Sequence, residues 1–290
     1  MPPCPPTYPR PSGRPWRRRY SEEQIRAAVA ATDPERHSRP DPAVAALAAD
    51  PGLAFRRAGL EPDPWQAEFL ADRGDRQTLL CCRRSGKTTA AAVRTLTHCL
   101  ARPKALAMVF SPTRRQSQEF VRACLDFDAA IGRPVRRARD NLSEVEWANG
   151  SRLMSLPDAQ RGVVGFTPTL VVIDEASRVS DVLYKSVRPM LALGASLLTL
   201  STPFGKRGWF FETWSDPGRL DRFRWWKVTA RQCPRIGADF LEEERLELGD
   251  RWFAQEWLCS FEDSIDAVFA QDVIHGARAE GIEPLFGVGA

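Results

Sequence analysis

The chain has little of what metal cages, disulfide scaffolds and membrane spans are made from. Only three histidines occur in 290 residues, and they are scattered. The seven cysteines (Cys4, Cys81, Cys82, Cys99, Cys124, Cys233 and Cys259) are odd in number and show neither C-x-x-C nor Cys/His ligand spacing. A zinc site is not expected, and the thiols read as reduced and buried, as in a cytoplasmic protein. No apolar run approaches the roughly 18 residues of a membrane helix, so no membrane partner is expected. The proline- and arginine-rich N-terminus also lacks the apolar segment of a secretory signal. Strong net charge is missing too, since +4 is too mild to define a partner, but its distribution is uneven. Arg10, Arg14, Arg17, Arg18 and Arg19 precede the first acid, Glu22, and Arg133, Arg136, Arg137 and Arg139 form a second cluster. Either could meet nucleic-acid phosphates; the alternatives are a solvated tail and an exposed loop.

What is present is 43% apolar content, enough for one large α/β domain with appendages. Residues 1–19 read as disordered, with a short helix expected after Ser21 and a weak one near 43–49. Pro64–Leu70 reads as an amphipathic helix with proline in its first turn. An apolar run, Thr78–Cys82, then enters Cys82-Arg83-Arg84-Ser85-Gly86-Lys87-Thr88-Thr89, and an alanine-rich helical stretch leaves it towards Leu100. Strand, glycine-bearing loop and helix N-terminus together make a phosphate cradle of backbone N–H groups. In such a loop the lysine, Lys87, reaches the β/γ-phosphates, and the following hydroxyl, Thr88, can ligate Mg²⁺. The pattern departs from G-x-x-x-x-G-K-[ST] at Cys81, which stands where glycine is usual.

Downstream, Ala105–Phe110 reads as a buried parallel strand; Ser111–Gln116, at its C-terminal end, could face DNA or nucleotide or simply cap the helix that runs to about Phe127. Glu144–Trp147 and Ser151–Met154 flank Asn149-Gly150, a pair that predicts a hairpin with a type I′ turn. Arg161, in the loop Asp158–Gly162, is a candidate substrate contact. Leu170–Asp174 is a continuous apolar strand that ends in two carboxylates, Asp174 and Glu175. The first can complete a metal shell and the second can orient and deprotonate water. Ser196–Leu200 repeats the layout and ends in Ser201-Thr202-Pro203, hydroxyls able to sense a γ-phosphate. Arg224–Thr229 reads as a further strand whose tryptophans serve packing, and Phe240–Leu258 as helix.

With loop, acids and hydroxyl strand in this order, the sequence over roughly 60–275 resembles the ATPase half of a large terminase subunit, the DNA-packaging motor of tailed phages. The resemblance implies an α/β P-loop NTPase of the additional-strand type with a largely parallel central sheet. It implies ATP and Mg²⁺ as cofactors, with Trp65-Gln66 matching the adenine-reading motif. Arg84, Ser85, Gly86, Lys87, Thr88 and Thr89 would contact nucleotide, and Thr88 and Asp174 would hold the metal. Glu175 would activate water, Arg83 would serve as arginine finger, in cis or supplied by a neighbour, and Ser201 and Thr202 would couple hydrolysis to movement. Such loops often lack the first glycine, which removes the objection at Cys81. Asn149-Gly150-Ser151 and Arg161-Gly162 are also family-like.

The partners it implies are double-stranded DNA, a portal protein and a small terminase subunit, with the working motor a homo-oligomeric ring at the procapsid portal in the host cytoplasm. The expected organisation is an N-terminal tail with short helices (1–52), the ATPase domain (53–264), and a linker with the start of a nuclease domain (265–290). Phe286–Gly289 resembles the first nuclease strand, but the chain ends before its acids, so nuclease activity is not expected. A helicase-like translocase and a non-catalytic remnant that binds DNA or portal are the alternative readings.

Overall fold

The computed structural model describes residues 41–158, 165–191 and 194–263. In chain order these form α1 (Pro42–Ala49), α2 (Gly52–Arg57), α3 (Pro64–Ala71), β1 (Arg76–Cys81), α4 (Lys87–Ala101), β2 (Leu106–Ser111) and α5 (Arg114–Ala130). Then come β3 (Arg137–Asp140), β4 (Glu144–Trp147), β5 (Arg152–Pro157), β6 (Leu170–Asp174), α6 (Asp181–Leu191) and β7 (Ser196–Ser201). The chain continues through α7 (Gly208–Ser215), α8 (Pro217–Leu220), β8 (Arg224–Val228) and α9 (Ala238–Leu258). The helix expected after Ser21, Arg161 and its loop, and the strand-like Phe286–Gly289 lie outside the described residues.

All eight strands join one sheet in the order β3-β4-β5-β2-β6-β7-β1-β8. From β5 to β8 every neighbouring pair is parallel, and β4 runs antiparallel between β3 and β5. The continuous apolar runs of the sequence are explained by this arrangement. A central parallel strand is covered by helices on both faces, so successive side chains are buried whichever way they point. Every residue of β2 and of β6 is buried accordingly. Because β7 lies between β1 and β6, the strand before the phosphate loop and the strand before the carboxylates are separated by one extra strand. That is the additional-strand arrangement, and it brings the C-terminal ends of β1, β6 and β7 side by side. Ligands bind at this end of open parallel sheets.

Two details differ from the sequence reading. Residues 42–49 lie within the span that composition assigns to the N-terminal appendage, yet Val44 and Leu47 are buried in the same core as β1 and α4. The hairpin turn is also not type I′. Gly150 has φ +79°, but Asn149 is not left-handed. Gly150 N–H donates to Trp147 O at 2.8 Å, and Trp147 N–H to Ser151 O at 3.0 Å. This is a three-residue connection with a left-handed glycine at its end. Asn149 is held otherwise because its side chain works elsewhere. Its Nδ2 donates to Cys99 O and Leu100 O (3.0 and 3.1 Å), capping the last turn of α4, and its Oδ1 accepts from Ser151 N–H and Oγ–H. The hairpin thereby ties down the far end of the helix that begins at the phosphate loop.

Candidate nucleotide site

The loop Cys82–Gly86 turns sharply between β1 and α4, with Arg84 at φ +56° and Gly86 at φ +83°. Left-handed backbone costs a non-glycine residue of order 1–2 kcal/mol, so Gly86 meets a conformational need. It also meets a spatial one, since a Cβ there would lie 2.6 Å from Gln66 Nε2 and 3.2 Å from an Arg235 nitrogen. Those two side chains brace the loop from outside. Gln66 is buried; its Oε1 accepts from Asp63 N–H at 2.8 Å, and its Nε2 donates to Gly86 O at 3.2 Å and Ser85 O at 3.5 Å. Arg235 donates to both carboxylate oxygens of Asp63 and to Ser85 O at 2.9 Å. Both ends of the Gln66 amide are therefore engaged by backbone, and the residue ties α3 to the loop.

β6 delivers the acids. Asp174 is buried and accepts a hydrogen bond from Glu175 N–H at 3.0 Å. Burial, and then the neighbouring Glu175, push its carboxyl up to about 7, against the pull of Lys87. Glu175 follows in left-handed conformation (φ 52°, ψ 45°), a strain that swings its carboxylate out of the strand direction. It meets Lys87 there, Nζ to Oε1 at 3.2 Å. Burial draws the Lys87 ammonium down, but Glu175 and Asp174 outweigh it and hold its pKa above the ordinary lysine value.

Around this pair lies a cavity of ≈ 490 Å³ lined by Arg83, Arg84, Lys87, Gln116, Glu175, Arg178 and Thr202. Four cations face one carboxylate there, a surface suited to a polyanion. Arg83, half-exposed, pairs through Nε with Glu256 of α9, and its N–H donates to Glu256 O at 2.9 Å. The hydrogen bond to Glu256 holds the Arg83 guanidinium above its usual range. Arg84 packs over Phe240 (5.8 Å) and Arg178 over Phe204 (4.0 Å).

Of the residues read from the sequence, Arg83, Arg84, Lys87, Glu175 and Thr202 line this cavity, while Asp174 is buried at the end of β6. Thr88 and Thr89 occupy the first turn of α4. Ser201 is fully buried and is bound to Ser177, whose Oγ lies 2.7 Å from Ser201 Oγ and donates to Thr202 O at 2.8 Å. Ser177 N–H also donates to Ser201 Oγ at 3.1 Å. Gln116, from the strand-end segment Ser111–Gln116, lines the cavity, whereas Ser177, Arg178, Arg235 and Glu256 were not singled out from sequence. Ser177 and Arg178 lie two and three residues after Glu175 and could have been found by proximity; the other two carry no local signal.

The donors fit a hard cation and a phosphate ligand. Thr88 and Asp174 offer only oxygen, and no group of three or more His, Cys, Asp or Glu residues among those described could cage a metal. Mg²⁺ is commonly held this way, by one or two protein oxygens together with substrate phosphates. Ser85 Oγ is buried in the loop without a conventional hydrogen-bond partner among the described residues, a contact to the Cys81 thiol aside.

The second basic cluster is not the open patch that the sequence suggested. Arg137 is nearly buried, with Nε 3.1 Å from the fully buried Asp128 and Nη1 2.6 Å from Asp140. Arg139 pairs with Glu144. Arg133 and Arg136 alone of the four are exposed without a described ion pair. The first cluster, Arg10–Arg19, lies outside the described residues. The tryptophans of β8 divide: Trp226 packs edge-on against Phe69, whereas Trp225 is half-exposed beside Trp214. Six cysteines are free and buried, as expected. Among the described residues no helix is long and apolar enough to cross a membrane.

A family model described as the terminase large subunit, T4-like virus type, N-terminal, matches residues 79–275. The fold is similar to that of the large terminase ATPase domain of Thermus phage P74-26, with TM-score 0.61 and 19% identity over 72% of this chain and 97% of that one. It is also similar to the large terminase of bacteriophage HK97, with TM-score 0.59 and 14% identity over 74% of this chain and 55% of that one. A large terminase from a thermophilic bacteriophage, in complex with ADP, matches with TM-score 0.57 and 13% identity over 69% of this chain and 53% of that one. The chain thus spans just over half the length of these two longer proteins. No curated protein matches it by sequence. The structural likenesses establish the fold, and the sequence model, which covers most of the chain, establishes the kinship: the protein belongs to the large terminase subunit family, matched over the family's N-terminal part.

Proposed function

We propose that this protein hydrolyses ATP and couples hydrolysis to the movement of double-stranded DNA into a procapsid. The observation that carries the reading is the cavity where Lys87 and Glu175 meet, ringed by Arg83, Arg84 and Arg178 at the C-terminal ends of β1 and β6. The loop N–H groups and Lys87 bind the β- and γ-phosphates. Mg²⁺, held by Thr88 and Asp174, supplies charge neutralisation on the phosphates when bound. As phosphate engages the Lys87 ammonium, the Glu175 carboxylate is released to orient a water and take its proton. Arg83 and Arg178 lie where they can stabilise charge on the transferring phosphoryl group. Arg83 reaches that role by exchanging Glu256 for phosphate. Gln66 acts on the adenine side through the loop that it braces.

Thr202 meets the γ-phosphate, and Ser177 with Ser201 transmits its loss into β7. The working form in this reading is a ring at a portal in the host cytoplasm, supplied with DNA by a small terminase subunit. The test is ATP turnover by the purified chain with and without linear duplex DNA. Turnover stimulated by duplex supports the motor; nucleotide binding without turnover under either condition overturns it.

Ser177→Ala removes both Oγ hydrogen bonds of the link to β7 while leaving every charged group in place. Stimulation of turnover by duplex is expected to fall about tenfold, about 1.4 kcal/mol and within what two part-buried hydrogen bonds contribute, with KM for ATP unchanged. Ser177→Thr, which keeps the hydroxyl, should restore most of it. Undiminished stimulation in Ser177→Ala would remove Ser177 from the coupling path.

A further inference from the structure

At the opposite end of the sheet, where β1, β6 and β7 begin, lies a second cavity of ≈ 330 Å³. One stripe of α4 forms a wall: Arg94, Thr97, His98 and Ala101 recur at the helical spacing that places side chains on one face. Arg73 enters from the segment before β1, and Arg102 from the C-cap of α4. Three arginines thus face one carboxylate, Asp75.

These cations are not explained by ion pairing within the fold. Among the described residues none of Arg73, Arg94 and Arg102 forms an ion pair. Arg73 donates to Ala48 O, and Arg94 makes only a long contact, 3.5 Å, to Leu70 O. Asp72, close in sequence, is already held by Arg224 at 3.3 Å and by Gly74 N–H and Gln77. Nor are the arginines needed to cap α4, since Asn149 takes the carbonyls of Cys99 and Leu100. The crowding has an electrostatic signature. Burial, and then the charge of Arg73, pull Arg94 down to about 10. Burial, with Arg102 and Arg94, pulls His98 down to about 4, so it stays neutral beside Thr169. A bound anion would relieve this repulsion.

We propose that this cavity is a second anion site, distinct from the phosphate loop, that takes a small phosphate-bearing molecule such as inorganic phosphate or pyrophosphate. Arg94, half-buried, forms the floor, and the exposed Arg73 and Arg102 form the rim. That recess selects for size. A free phosphate can reach Arg94, whereas a phosphodiester in a rigid duplex, flanked by its sugars, reaches only the rim.

The test is calorimetric titration of pyrophosphate into the full chain carrying Lys87→Ala, which disables the phosphate loop. Binding should persist there and weaken about tenfold or more when Arg94→Gln or Arg102→Gln is added, as expected for loss of one charged hydrogen bond. Arg102 is exposed, so its variant is expected to keep the fold, and Arg102→Gln alone should leave ATP turnover unchanged. Absence of binding in the Lys87→Ala protein, or affinities indifferent to both arginines, would overturn the proposal. So would a result in which a short blunt duplex loses affinity with Arg94→Gln while pyrophosphate does not.

Discussion

Replacing Glu175 with glutamine is expected to lower ATP turnover about 10²- to 10⁴-fold, the usual contribution of a positioned general base, while nucleotide still binds. The substitution changes one atom's chemistry and little else. Glutamine has the length of glutamate, can accept from Lys87 through its amide oxygen, and inherits the same left-handed backbone at φ 52°, so the strain of that position is common to both proteins. What it cannot do is take a proton from water. Loss of the negative charge also removes a partner that holds the Lys87 ammonium, so the lysine is freer to meet phosphate and affinity for ATP should hold or rise. A falling kcat with a steady KM is the pattern of an interaction made only in the transition state, and a KM that falls as well adds relief of the ground-state competition between Glu175 and phosphate for Lys87. Steady-state hydrolysis and binding of a fluorescent nucleotide read the two quantities separately. Turnover within about threefold of the parent, well short of that range, would move the base to another group and leave Glu175 as the partner of Lys87 alone.

Arg137→Ala is expected to destabilise the fold by about 3–5 kcal/mol, the usual result of leaving one half of a buried ion pair behind. Asp128 is fully buried, and burial pushes its carboxyl up while Arg137 pulls it down. The contact is electrostatic more than a well-aligned hydrogen bond, since neither Asp128 oxygen has a hydrogen-bond partner in the strict geometric sense. Without the guanidinium nothing charged of opposite sign remains against it at ion-pair distance among the described residues. Urea unfolding followed by circular dichroism measures the loss. Pairing Asp128→Leu with Arg137→Met should recover most of it, because hydrophobic replacement of both partners is often neutral. Arg139→Ala, which breaks an exposed pair with Glu144, should cost less than about 1 kcal/mol. If Arg137→Ala left stability intact and weakened duplex binding instead, the arginine would belong to a DNA contact and not to the core.

Much of the fold was legible because its signals are local. Thr78–Cys82, Ala105–Phe110 and Leu170–Asp174 are apolar at successive positions, which suits strands covered on both faces, and all three belong to the parallel sheet. The positions of Lys87, Asp174 and Glu175 were legible because Lys87 opens the helix after a short recognisable loop and the two acids close a strand, so that neighbours in sequence set the geometry. The turn at Asn149 was not, because its conformation answers to two carbonyls of α4 about fifty residues away.

The same distinction separates the second basic cluster, as a stretch of sequence, from what its arginines do in the fold. As a sequence, Arg133–Arg139 is a run of charge. In the fold Arg137 is turned inward, because α5 leaves Asp128 buried without another cation at ion-pair distance among the described residues. The brace of the phosphate loop joins Asp63, Gln66 and Arg235, and the partner of Arg83 is Glu256, 173 residues later. By itself the sequence determined which strand leads into the lysine-bearing loop and which ends in acidic groups, since that is written in motifs a few residues long. Only the tertiary structure decided which arginines face the cavity, which are locked in ion pairs, and which gather at the far end of α4 without an ion pair among the described residues. Charge has no periodicity, and its role depends on what the crossovers of a parallel sheet bring beside it.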